Sequence, residues 1–178
     1  MANTCTLIST YSVGAGGITT ISFTSIPQTY TDLKLVYSLK PASGGDIGVR
    51  LNFNSSTSGY SDIYLQALNT TSSPQPPSKG TNVYAGAAGY AGAMNDSTLS
   101  GGNLATNSEL YIPNYTVAQG KAFLVSASAE ANRNLGFIEE VSSYWNNTAA
   151  ITRIDFVCNS AQIFGQYSVA SLYGIKNV

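Results

Sequence analysis

Apolar and polar residues alternate with a period of two along most of the chain, most clearly in the run TDLKLVYSLK at 31–40. Successive side chains of a strand point to opposite faces. Leu33, Leu35, Tyr37 and Leu39 therefore share one face and Asp32, Lys34, Ser38 and Lys40 the other, which predicts a half-buried strand. The same alternation turns Val49, Leu51 and Phe53 inward within 48–54, and sets Arg153 and Asp155 outward against Ile154, Phe156 and Cys158 within 152–158. Weaker strand signals fall at 4–12, 18–24, 60–69, 109–112, 122–130, 135–145 and 169–175, each bounded by Gly, Pro, Asn or Ser. Roughly ten short strands at near-regular spacing, with no helical stripe, predict an all-β fold, a two-sheet β-sandwich of jelly-roll type.

Glycine and proline punctuate this pattern. The runs at 14–17 (GAGG) and 41–45 (PASGG) read as hairpin connections, because glycine reaches the positive φ that tight turns need. Pro113 lacks an amide hydrogen for a ladder and is expected to end the strand before it. The stretch 72–107 differs from the rest, with Pro74, Pro76 and Pro77 followed by a run rich in glycine and alanine. It is too long for a turn and reads as an excursion carrying one or two short strands, near 82–84 and 89–91, and as a candidate partner-contacting arm. The whole chain, 1–178, reads as one sandwich domain with that excursion.

Composition sharpens the picture at one point. Only 10% of residues are charged, against about 25% in an average soluble domain, so the polar surface is mostly uncharged. Runs such as NSSTS at 54–58 and NTTSS at 69–73 supply it with hydroxyls and amides. With a net charge of −1 and basic residues scattered singly from Lys34 to Lys176, there is no basic stripe to displace counterions from a nucleic-acid backbone, and nucleic acid is not expected as a partner. The start MANTC has neither the basic head nor the apolar run of a secretory signal, and no apolar run is long enough to span a bilayer. No membrane association is expected.

The candidate chemistry is thin. The absence of histidine removes the commonest general base and metal ligand. Glu139 and Glu140 are the only adjacent carboxylate pair, and neighbours on a strand point apart, so they cannot form a glycosidase dyad; solvated or edge-protecting charge is the expected role. Gly86, Gly89 and Gly92 recur every third residue without spelling a dinucleotide fingerprint. Asp46, Asp62, Asp96 and Asp155 are isolated, without the spacing of a calcium loop. No enzyme activity, cofactor or metal is expected. Cys5 and Cys158 could close a long loop, but Cys158 lies on the apolar face of its run and reads better as a small buried hydrophobe. Twelve tyrosines offer contact anchors. Tyr60, Tyr84 and Tyr90, beside glycine or small residues in expected loops, are the candidate partner or subunit contacts.

Four stretches, 26–33 (IPQTYTDL), 111–115 (YIPNY), 145–152 (WNNTAAIT) and 170–175 (ASLYGI), resemble a group of small virion structural proteins of tailed bacteriophages, many of them marine or cyanobacterial. The resemblance implies a jelly roll placed on the particle, either as a head decoration (cement) protein or as a fibre module. From it follow the expectations that the chain binds major capsid protein subunits as a homo-oligomer, a trimer for preference. It would be made in the host cytoplasm without a signal peptide and end on the virion, on the head surface for preference. The alternative is a tail-fibre or receptor-binding module that recognises host-surface glycan.

Overall fold

A computed structural model describes residues 4–43, 47–70, 73–74, 78–81, 83–84, 86–94, 105–130, 136–159 and 162–176. Among them run thirteen strands: β1 Cys5–Ser12, β2 Thr20–Phe23, β3 Asp32–Ser38, β4 Ile47–Phe53, β5 Tyr60–Thr70, β6 Ser73–Pro74, β7 Ser78–Thr81, β8 Gly89–Met94, β9 Asn107–Ile112, β10 Lys121–Glu130, β11 Gly136–Trp145, β12 Ile154–Cys158 and β13 Val169–Ile175. Each of the ten runs read from alternation is a strand, and β6, β7 and β8 are added within the excursion. β8 falls on the expected 89–91, whereas 83–84 form a turn, and Asn82 and residues 95–104 lie outside the described residues.

The strands form two antiparallel sheets, a nine-stranded one in the order β1-β13-β3-β9-β10-β11-β5-β6, with β7 also on β5, and a four-stranded one in the order β2-β12-β4-β8. β1 pairs with β13, β2 with β12, β3 with β9 and β4 with β8, as a long ribbon of nested pairs would. Rolling that ribbon brings β13 onto β3 and β12 onto β4. The hairpin β10–β11 and then β5 extend the large sheet beyond β9, and β8 packs beneath them.

This order corrects two expectations. The segments 14–17 and 41–45 are not hairpins: each carries the chain from one sheet to the other, β1 to β2 and β3 to β4. A glycine cluster marks where the backbone bends, and bends of both kinds need it. Residues 44–46 themselves lie outside the described residues.

One apolar cluster fills the space between the sheets. Leu172, Leu35, Leu110, Val125 and Val141 form a buried row across five strands of the large sheet, facing Ile21, Leu51, Phe53, Ile154 and Phe156 of the small one. At one end Phe53 meets Phe123 edge-on at 5.1 Å and Trp145 at 5.5 Å, while Tyr60 stacks on Trp145 at 6.0 Å. Trp145, buried, plugs the sandwich there.

The four stretches that carry the resemblance meet at this level of the fold. Ile26 N donates to Thr152 O (3.1 Å), and Gln28 Nε2 donates to Ile151 O (3.0 Å). Tyr115, buried, accepts from Ile151 N at its carbonyl (3.0 Å) and donates from its hydroxyl to Pro27 O. Thr31 N donates to Ile175 O (2.8 Å), and the Tyr30 ring lies where a Cβ on Gly174 would be, 2.3 Å from its nearest atom. Asp32 keeps the outer face that alternation assigns it but is covered there, accepting from Tyr111 Oη (2.6 Å) and Asn114 N (2.9 Å). Asp155 is likewise covered: Arg153 Nε donates to both of its carboxylate oxygens (2.8 and 2.9 Å) and Ser22 Oγ donates to Oδ1 (2.6 Å). Pro113 does follow the last residue of β9. Cys5 is exposed and Cys158 buried, both as free thiols, and burial pushes the Cys158 thiol up to about 12.

Candidate functional site

Tyr60, Tyr84 and Tyr90 are not surface contacts: all three are core residues, at most 9% exposed. Tyr60 begins β5 and Tyr90 lies in β8, so two of the three are in strands, turned inward by strand alternation. Tyr60 accepts a hydrogen bond from Phe53 N (2.7 Å). Tyr84 meets Tyr90 edge-on at 5.8 Å with the Arg50 guanidinium 5.0 Å over its ring, and Tyr90 meets Tyr64 edge-on at 6.1 Å. Burial raises all three phenols well above the ordinary tyrosine range. Of the glycines near them, Gly59 and Gly86 do turn the chain at positive φ, whereas Gly89 makes room for packing: a Cβ there would meet the Phe123 ring at 2.8 Å and the Tyr60 ring at 3.3 Å.

Glu139 and Glu140 do point to opposite faces, as strand geometry requires, and their surroundings differ sharply. Glu140 is exposed, whereas Glu139 is buried rather than solvated. Glu139 Oε2 accepts from Ala93 N of β8 (3.2 Å), Oε1 accepts from Gln66 Nε2 of β5 (3.4 Å), and the Tyr90 hydroxyl is also bonded to it. Burial pushes its carboxyl up to about 7, against the opposing pull of the Tyr90 and Ala93 hydrogen bonds, and nearby Asp62 adds to the rise. Asp62 is itself buried and raised by burial, with Val83 N donating to it (2.9 Å). Alternation within 135–145 already places Glu139 on the face of Phe137, Val141 and Trp145, which is the signal that marks it as internal. Among the described residues no group of three or more His, Cys, Asp and Glu side chains is placed to hold a metal ion.

Among the described residues, most of the exposed large hydrophobic side chains lie on the outer face of the large sheet. Its register lays side chains in rows running across the strands. One row reads Leu7, Tyr173, Lys34, Tyr111, Leu124, Ser142, Ile63 from β1 to β5. Leu65 and Tyr144 flank its far end, and Ile63, Leu65, Leu124 and Tyr144 are 41–59% exposed. The next row reads Thr10, Ser171, Val36, Glu109, Ser126, Glu140, Leu65. From Ser171 to Glu140 this second row, with its neighbours Ser38, Asn107, Ser128 and Ile138, lines an open trough of about 700 Å³. Lys34 Nζ is 2.7 Å from Glu109 Oε1, and Ser126 Oγ donates to Glu140 Oε2 (2.8 Å). The first row is apolar except for Lys34 and Ser142, whereas the trough mixes the carboxylates of Glu109 and Glu140 and several hydroxyls with the exposed side chains of Val36 and Ile138.

No family model matches the chain, and no curated protein or solved structure matches it either.

Proposed function

We propose that the chain is a virion structural protein of a tailed bacteriophage, a capsid decoration protein that seats the outer face of its large sheet on the major capsid protein of the head shell. The observation that carries this reading is the apolar row ending in Leu124 and Ile63, with Leu65 and Tyr144 beside it, all exposed on a flat sheet face. Large side chains grouped in this way on the surface mark contact sites, and aromatic and aliphatic anchors dominate such contacts energetically. The nested pairing of β1–β13, β2–β12, β3–β9 and β4–β8 supports the finer reading of the sandwich as a jelly roll, with β5 and β10–β11 as additions that widen the contact face. Hydrogen bonds join the four resembling stretches to one another, Tyr111 and Asn114 to Asp32, Thr31 to Ile175 and Ile151 to Tyr115, which supports reading them as parts of one scaffold. The low content of charged residues suits a face that must be desolvated on docking.

Quantitative mass spectrometry of purified particles tests the proposal through the copy number relative to the shell subunit. A number comparable to that of the shell subunit supports decoration of the head. A far smaller number moves the chain to the tail and favours the receptor-binding alternative, and absence from the particle ends both.

A further inference from the structure

The edge of an open sheet presents a row of unpaired amides and carbonyls, a template for another strand, and folds blunt such edges with proline, lysine, short strands or bends. Among the described residues, three of the four sheet edges are blunted in this way. Beyond β5 the large sheet ends in β6 and β7, with Pro74 in the one and exposed Lys79 in the other. In the small sheet β2 is only four residues long, and β8 bends at Gly92 (φ 81°) and packs beneath β10 and β11. β1 differs. Its eight residues, CTLISTYS, include no charge and no proline, and among the described residues no other strand pairs with its outer side.

Ladder geometry says which groups that edge offers. Lys176 N donates to Thr4 O and Val13 N donates to Ser168 O, both at 2.9 Å, so positions 4 and 13 turn toward the β13 side. Hydrogen-bonded and non-bonded pairs alternate along an antiparallel ladder, and the register slips once, at Ile8. The amides and carbonyls of Cys5 and Leu7 before the slip, and of Thr10 and Ser12 after it, therefore face away from β13. From Ser9 to Ser12 the register is regular, which leaves that stretch straight enough to pair.

We propose that β1 pairs with β1 of a second copy, antiparallel about a twofold axis at Tyr11, to form a closed dimer. Thr10 of each copy then lies opposite Ser12 of the other, each pair exchanging both ladder bonds, with Thr and Ser hydroxyls side by side and Tyr11 against its own copy, both favourable cross-strand pairs. Charge and symmetry select a second copy as the occupant. A strand without charged side chains meets its own copy without like-charge repulsion. A head-to-tail join of β1 to the opposite edge of the sheet would repeat without end, and Pro74 and Lys79 close it off, so the isologous pairing remains. The trimer that the resemblance implies would need a different contact. Edge pairing covers neither face of the large sheet, so it is compatible with seating on the shell and does not rest on it.

The test is made on the isolated full chain, by sedimentation and native mass measurement from micromolar to millimolar concentration. Twice the 18.6 kDa of one chain is expected at the upper end. In amide exchange followed residue by residue, Thr10 and Ser12 should slow at least tenfold between the dilute and the concentrated sample, because only a second strand covers them. Thr10→Pro removes an outward N–H and leaves the β13 ladder intact, and Ser12→Lys sets two like charges near the twofold axis. Each should abolish the dimer while leaving the melting temperature of the dilute chain in place, and Ser12→Lys decides the matter if the proline variant does not fold. A monomer throughout the range, a trimer, fast exchange of Thr10 and Ser12 in the concentrated sample, or a dimer indifferent to the variants would overturn the proposal. These measurements read the free chain, so their outcome is separate from the copy number that tests head placement.

Discussion

At the scale of single residues, Glu139 is the group whose cost the fold must carry. Its carboxyl bridges the sheets, accepting from Ala93 N of β8 and Gln66 of β5, yet burial holds its pKa near 7 rather than near the ordinary 4.5. Between those values the folded chain holds the proton more often than the unfolded chain, so stability falls as pH rises through the window. Below pH 4.5 both states are protonated and nothing is lost; above about 7 both are ionised and the full penalty, on the order of 3 kcal/mol, is present. Asp62, also raised by burial, acts in the same direction. Urea unfolding at pH 5 and pH 8 should therefore find the protein more stable at pH 5. Glu139→Gln, which keeps the shape without the charge, should remove most of the difference; an unchanged difference would mean that it arises from groups other than Glu139, Asp62 among them.

At the scale of elements, packing around Gly174 makes the firmest prediction. A Cβ there would fall 2.3 Å from the Tyr30 ring, and Gly174 is held on both sides by β1 and β3, so the ring, which precedes β3, must give way. Gly174→Ala should cost about 1–3 kcal/mol, the usual range for overpacking, and Gly174→Ala with Tyr30→Ser should recover part of it in a chemical-denaturation cycle. Ten strands, their inward faces and the stop at Pro113 were legible in the sequence, because strand alternation and proline act locally. Pairing was not legible. The glycine runs at 14–17 and 41–45 suggest hairpins, whereas the partners of β1 and β3 come from the far end of the chain. Contact residues were the least legible: Gly59 and Gly86 do mark turns, but the tyrosines near them point back into the core, where Tyr60 stacks on Trp145 and Tyr84 meets Tyr90. The outer rows that do face solvent depend on cross-strand register, which emerges only when seven strands are aligned.

At the scale of the whole molecule, the question is what kind of force would hold this sandwich to a larger assembly. The chain carries eight basic and nine acidic residues, and the exposed ion pair on the contact face, Lys34 with Glu109, is internal to it. Surface pairs contribute little and are screened by salt. The apolar row offers more: burying an Ile or Leu side chain fully is worth about 1.5–3 kcal/mol, and Ile63 and Leu124 are 59% and 50% exposed, so roughly half of that remains available at each. Attachment through this face should then resist salt, because hydrophobic burial is not screened, and excluded salts such as sulfate should strengthen it. Particles washed at rising sodium chloride should retain the protein. Ile63→Glu with Leu124→Glu should cut its occupancy at least tenfold while leaving the melting temperature of the free chain nearly unchanged, since both side chains already face water. Loss of the protein in high salt, with full occupancy of the double variant, would move the contact off the apolar row.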